Sequence, residues 1–185
     1  MRNAPATSLL IASLVIAYLA TLVDPSLVDR LAKVSGRVRS GEVWRLFTAS
    51  FLHAGLVHLA VNGVALFAIG PTVEELYGHV SFLLIFLVAG AVGFAASAAF
   101  VAAPSLGASA GLFGLLGVLL GFAVRHRSRL PRAARRAMIQ EILGIAALNL
   151  AFGLMVSFID NAAHVGGFAG GLALGLVLRP RRTPR

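Results

Sequence analysis

The sequence GASAGLFGLLGVLLGFAVR, residues 107–125, is an apolar, glycine-rich stretch that carries one hydroxyl near its start, Ser109. A second such stretch, AAHVGGFAGGLALGLVL at residues 162–178, carries one imidazole, His164. Lipid supplies no water to solvate these groups, so polar and ionisable residues within apolar spans indicate function. A serine and a histidine are also the minimal pair for nucleophilic hydrolysis. The sequence therefore predicts that two apolar helices bring Ser109 and His164 together.

The composition predicts a membrane protein of one domain, residues 1–185. Hydrophobic residues make up 58% of the 185 residues and charged residues 12%, against roughly 25% charged in soluble proteins. Crossing a bilayer takes about 20 apolar residues per helix. We predict an all-α, six-transmembrane-helix bundle with spans at Ser8–Val23, Leu46–Ile69, Val80–Ala102, Ser109–Val124, Met138–Phe158 and Ala162–Leu178. The first span is not expected to be a signal peptide, because Asp24-Pro25 ends it without a small-residue cleavage site.

The net charge of +9 reflects membrane topology rather than nucleic-acid binding. The arginines lie at the ends of spans and lack interleaved aromatic residues, so no nucleic-acid partner is predicted. With six spans, 11 of the 16 basic residues share one side with both termini. The positive-inside rule then predicts cytoplasmic termini in the cell membrane. Glu74 and Glu75 are expected to make polar contacts with the cytoplasmic loop.

The first loop, residues 24–45, is too long for a tight connector. Alternating apolar residues predict partial burial on or into the outer leaflet; they are Leu27, Val28, Leu31, Val34 and Val38. A disordered hydrophilic loop is the alternative. Trp44-Arg45 is an amphipathic pair suited to the membrane interface.

Helix rise predicts that three polar residues share one depth. At 1.5 Å per residue, Ser109 lies about 24 Å from Arg125, and His164 about 22 Å from Arg179. His58 lies about 24 Å from Glu74 if its helix continues through Gly70-Pro71. Asn62 follows His58 at i+4 and so shares its helix face. These residues are therefore predicted to converge near the outer edge of the membrane.

Small residues support this convergence, because they let helix backbones approach closely. One stripe in the last span comprises Gly167, Gly171 and Gly175 on the face of His164, and a second in the fourth span comprises Ala110, Gly114, Gly117 and Gly121. The fourth span is short, since residues 103–107 break it, and it is expected to begin inside the membrane. Irregular backbone at that depth must be buried or line a water-filled cavity.

His53 is predicted to lie outside the site, at its outer mouth or against the first loop. It precedes His58 by five residues, about 140° around a regular helix. This spacing also fails the i,i+4 pattern of a paired-histidine zinc site. The chain has no cysteine, which excludes disulfides and thiolate chemistry. No metal and no cofactor are predicted.

The predicted chemistry is attack of Ser109 on a peptide carbonyl, with His164 as general base. The oxyanion would be stabilised by the Ser109 backbone N–H, His58 and Asn62. Asp160, one turn before His164, either orients the imidazole or caps the last span. We favour capping, and hence a Ser–His dyad.

The chain resembles the rhomboid family of intramembrane serine proteases, in its basic six-helix bacterial form. The matching motifs, in order, are Trp44-Arg45, His53-x4-His58-x3-Asn62, Val73-Glu74-x3-Gly78, Gly107-Ala108-Ser109-Ala110-Gly111 with Phe113-Gly114, and Ala163-His164-x2-Gly167-x3-Gly171. The resemblance implies that Ser109 is the nucleophile and His164 the general base, and that His58 and Asn62 assist at the oxyanion. It also implies that the substrates are single-span membrane proteins of the lipid bilayer, which are cut near small residues where the substrate helix unwinds readily.

Two residues depart from the family pattern and bear on the shape of the pocket. Ala110 replaces a glycine that often follows the serine, and Phe113 replaces a tyrosine that stacks on the base in some members. A non-catalytic rhomboid-like protein and a transporter are the alternative functions. Intact Ser109 and His164 argue against the first, and the lack of charged residues deep within the spans argues against the second. The physiological substrate and the oligomeric state are not predicted.

Overall fold

The computed structural model describes residues 4–128, 130–156 and 158–181. Six long helices dominate this part of the chain, as the composition predicts for an all-α membrane bundle. They are α1 (Pro5–Val23), α5 (Leu56–Tyr77), α6 (His79–Phe100), α7 (Ser109–Arg125), α8 (Arg132–Met155) and α9 (Asn161–Val177). Between α1 and α5 lie three short helices, α2 (Ser26–Leu31), α3 (Ser35–Arg39) and α4 (Arg45–Thr48), and a 3₁₀ turn at Ala49–Phe51.

Four of the long helices, α1, α5, α6 and α8, have the length and apolar composition to cross a membrane. Helices α7 and α9 are shorter, at 17 residues each, or about 25 Å. Helix α7 begins at Ser109, where the sequence predicts it. The preceding residues 101–108 are irregular backbone, and we call them the strap.

Helix α7 is the centre of the bundle. It is apolar on every side, and it is buried on every side from Ala110 to Leu119, as expected for a helix without a polar face. Its small residues meet those of α9. A Cβ added at Gly171 would lie 1.9 Å from the carbonyl oxygen of Gly114, and one at Gly167 would lie 2.1 Å from that of Ala110. The predicted contact between the two stripes is confirmed.

The predicted bounds of the second span are wrong. Its helix begins at Leu56, ten residues later than predicted, and continues through Pro71 to Tyr77. Residues 45–51 instead form α4 and the 3₁₀ turn, and residues 52–55 are not helical. Helix α8 begins six residues earlier than predicted, at Arg132. Its apolar and basic residues form one continuous helix, and hydrophobicity alone marks only the apolar part.

The first loop is ordered and extends to Gly55, which excludes the disordered alternative. Its five alternating apolar residues are half-buried, in agreement with the predicted partial burial. Two of its charged side chains are nevertheless fully buried. Lys33 is 0% and Arg45 2% exposed, whereas Trp44 is 50% exposed. Arg45 donates to the carbonyls of Asp29 and Ala32 and to the carboxylate of Glu42. It is therefore an internal brace and not half of an interfacial pair.

Among the described residues, the predicted contact of Glu74 with the loop between the second and third spans is made by His79 alone, and its other bonds go to the start of α1. Its buried carboxylate accepts from the backbone N–H groups of Ala6 (2.9 Å) and Thr7 (2.8 Å), from the Thr7 hydroxyl, and contacts the His79 ring. The first N–H groups of a helix have no partner within the helix and carry partial positive charge. Glu74 therefore caps α1, whose own N-cap residue makes no side-chain bond.

Candidate active site

The structure brings Ser109 and His164 into hydrogen-bond contact. Ser109 is the first residue of α7 and His164 lies one turn into α9, so the close packing of the two helices sets their separation. The His164 Nε2 atom lies 2.9 Å from the Ser109 Oγ atom. His164 is buried and Ser109 is partly exposed. This is the separation required of a nucleophile and its general base.

Stacking, rather than a carboxylate, orients the His164 ring. The Phe113 ring lies parallel to it, at 7°, with the centroids 4.3 Å apart. The Nδ1 atom of His164 is buried and has no hydrogen-bond partner among the described residues. Asp160 caps α9 through the Ala163 N–H (3.0 Å), and its second oxygen accepts from Ser97. The predicted capping role of Asp160 is confirmed.

His58 faces the strap from the first turn of α5. The backbone N–H of Ala54 donates to its Nδ1 atom at 3.4 Å. A ring nitrogen that accepts must be unprotonated, so the neutral ring carries its proton on Nε2. Nε2 lies 2.8 Å from the position that a Cβ would occupy on Gly107. The Cε1–Nε2 edge of the His58 ring thus faces Gly107, two residues before Ser109.

Asn62 is buried on the same face of α5, one turn below His58. Its Nδ2 atom donates to the His58 carbonyl oxygen at 2.9 Å. This bond uses one of the two amide protons. The second amide proton has no partner among the described residues.

The N-terminus of α7 adds backbone donors. No side chain caps it, and the first α-helical bond runs from the Leu112 N–H to the Ala108 carbonyl oxygen (3.0 Å). Helix N-termini with free N–H groups stabilise negative charge. Gly107 has a φ of +124°, a conformation that favours glycine, and its N–H donates to the Ala49 carbonyl oxygen (2.9 Å). Gly107 therefore fixes the direction in which the helix starts.

His53 is placed differently from the prediction. Its ring is buried and lies edge-on against the His58 ring, with the centroids 5.0 Å apart. The prediction assumed one regular helix through both residues, but residues 52–55 are not helical and α5 begins at Leu56. Gly55 is the signal that the prediction overlooked, because a glycine often interrupts or ends regular structure. His53 therefore packs directly against His58, a predicted residue of the site.

Sequence comparisons identify the family of the chain. Residues 40–181 match the model of the Rhomboid domain family. The chain is 45% identical over 149 residues to "Rhomboid protease GluP" of Bacillus subtilis, covering 78% of this chain and 29% of that protein. It is 40% identical over 151 residues to "RHOMBOID-like protein 1" of Arabidopsis thaliana, covering 80% and 38%.

A third relative, "Putative rhomboid protease YdcA" of Bacillus subtilis, is 34% identical, with 80% of this chain and 73% of that protein covered. The chain spans well under half the length of the first two relatives. The matched region contains every residue of the site described above, from His53 to His164. The chain is a multi-pass membrane protein that belongs to the rhomboid family.

Proposed function

We propose that the protein is an intramembrane serine endopeptidase that cleaves single-span membrane proteins. The observation that carries the proposal is the 2.9 Å separation of His164 Nε2 and Ser109 Oγ. Membership of a family whose curated relatives include proteins named proteases supports it. Neither residue has another role in the described structure that would account for its position at the end of an apolar helix.

In the proposed reaction, Ser109 is the nucleophile and His164 the general base. Nε2 takes the hydroxyl proton as Oγ attacks the peptide carbonyl, and later gives it to the leaving amine. Water, activated by the same nitrogen, then releases the acyl group from Ser109. Because Nδ1 has no partner among the described residues, the base acts as half of a dyad, and Phe113 holds its plane.

The oxyanion forms at the N-terminus of α7. We assign its donors to the Ser109 backbone N–H, the His58 Nε2–H and the free amide proton of Asn62. All are fixed before the substrate arrives, which is what makes such donors effective. The partial exposure of Ser109 gives water and substrate access to the nucleophile.

The proposed orientation follows the distribution of arginines. The end of α7 that carries Arg125, and the segment after it, hold most of the predicted cytoplasmic basic residues. Four members of that set, Arg2, Arg129, Arg182 and Arg185, lie outside the described residues. The termini then lie on the cytoplasmic side of the cell membrane, and the active site opens on the opposite, outer side.

The test compares wild type with Ser109→Ala in proteoliposomes that contain a single-span reporter substrate. Wild type should cleave the reporter and react with a fluorophosphonate probe, and the variant should do neither while keeping its melting temperature. Serine and alanine differ by one oxygen, so folding is preserved. Cleavage by Ser109→Ala at the wild-type rate would remove Ser109 from the mechanism. A folded wild type that neither cleaves nor reacts would favour the non-catalytic alternative.

A further inference from the structure

Lys33 occupies an unusual position for a charged side chain. It is the sole lysine of the sequence, among 15 arginines, and it is 0% exposed. Burial lowers the pKa of its ammonium group below the usual value, although the carboxylate of Asp160 partly opposes this effect. Burying a charge is costly unless hydrogen bonds compensate. The contacts of Lys33 show what compensates.

The ammonium group has three N–H donors and three acceptors around it. Nζ lies 2.7 Å from the carbonyl oxygen of Ala103, 3.3 Å from that of Val101 and 3.2 Å from Ser35 Oγ. Ser35 in turn donates to the Val101 carbonyl oxygen at 2.5 Å. An arginine would bring a planar group with five donors into this closed site. The match of three donors to three acceptors explains why this basic residue is a lysine.

The backbone of Lys33 holds the same strap. Its N–H donates to the Ser105 carbonyl oxygen and its carbonyl oxygen accepts from the Ser105 N–H, both at 2.9 Å. The strap is therefore tied at residues 101, 103 and 105 to this one residue. Two residues further on, Gly107 is tied to Ala49. Arg45 holds the neighbouring backbone in place, because it donates to the carbonyl oxygen of Ala32, the residue before Lys33.

We propose that Lys33 is a positioning residue for the active site, which acts by fixing the strap that sets where α7 begins. This inference rests on the proposed function. The strap ends at Ala108, so its path determines the location of Ser109 Oγ and the direction of the first N–H groups of α7. A shift of about 1 Å in reacting groups can lower a rate by roughly 10²-fold. Without the ammonium group, the Ala103 carbonyl oxygen loses its bond to Lys33, whereas the Val101 carbonyl oxygen keeps the bond from Ser35. The strap therefore loses its tie at residue 103 and is held less firmly at residue 101.

The main test is Lys33→Met, which keeps the length of the side chain and removes the charge. We expect kcat for a transmembrane reporter to fall by roughly 10- to 100-fold, with KM nearly unchanged, because substrate docking does not involve Lys33. The rate of fluorophosphonate labelling should fall in proportion. Arg37→Met is the matched control. It removes a charge from the same loop. Among the described residues, the exposed Arg37 side chain donates only to the Asp29 carbonyl oxygen, so kcat should be unchanged.

A second control separates positioning from general stability. Leu66→Ala creates a cavity in the core, where Leu66 is 0% exposed, and lowers the melting temperature without touching the strap. Its folded fraction should retain the wild-type kcat. If Lys33→Met does not fold, Ser35→Ala removes one acceptor and leaves the ammonium group in place. That variant should show a smaller loss of kcat.

A third measurement does not depend on activity. Because the chain has one lysine, an amine-reactive ester can modify only Lys33 and the N-terminal amine. Lys33 should resist modification in the folded protein and react when the protein is unfolded. Modification at the same rate in both states would overturn the inference. So would wild-type kcat in folded Lys33→Met, or in Ser35→Ala where the former does not fold. If wild type neither cleaves the reporter nor reacts with the fluorophosphonate probe, the proposed function is refuted instead.

Discussion

Gly171→Ala should disable the site from two helical turns away. The added methyl group would lie 1.9 Å from the Gly114 carbonyl oxygen, whereas ordinary contact begins at 3.4 Å. The obstacle is helix backbone, which no rotamer change can move. Helices α7 and α9 must therefore separate by about 1.5 Å at this point.

The separation reaches the catalytic pair because the same two helices carry it. Gly171 lies seven residues, about 10.5 Å, along α9 from His164. If half of the displacement is transmitted, the distance between Ser109 Oγ and His164 Nε2 grows from 2.9 Å to about 3.6 Å, which is no longer a hydrogen bond. We expect kcat to fall by roughly 10²-fold. Overpacking should also destabilise the fold by about 1–3 kcal/mol.

The assay measures cleavage of a transmembrane reporter and the melting temperature in the same detergent. Gly144→Ala is the matched control, because it makes the same substitution inside α8 where nothing lies within 4 Å of the new Cβ. It should keep full activity and gain a little stability, since alanine favours helix over glycine. Equal activity and stability in the two variants would refute the argument that backbone contact between α7 and α9 positions the catalytic pair.

Three further substitutions test individual side chains. Asp160→Asn should retain activity within about 10-fold, because asparagine also caps helices, whereas a loss near 10⁴-fold in kcat would indicate a triad. Asn62→Ala should lower kcat by about 10²–10³-fold, the usual effect of losing one oxyanion donor, and an unchanged kcat would remove Asn62 from the oxyanion site. Glu74→Gln should lower the free energy of unfolding by about 1–3 kcal/mol, measured by thermal or denaturant unfolding. The folded fraction should keep its kcat, and an unchanged stability would show that Glu74 does not cap α1.

Much of the fold was predictable because it depends on local patterns. Apolar segments reveal helices, and the start of α7 at Ser109 follows from the helix-breaking residues before it. The glycine stripes of α7 and α9 were predictable as a contact surface, because small residues on apolar helices let the helix backbones approach closely. The start of α5 was mispredicted, since hydrophobicity continues through residues 46–55 although their backbone is not a single helix.

The sequence by itself determined the class of fold, the apolar helices and the residue types available for catalysis, because these follow from composition and spacing along the chain. Only the tertiary structure decided which groups meet. Three contacts join residues that are from 5 to 70 positions apart. They are the ring contact of His53 with His58, the capping of α1 by Glu74, and the hydrogen bonds of Lys33 to the strap. The physical reason is that buried polar groups must find partners wherever the fold supplies them, and spacing along one helix does not reveal partners on another.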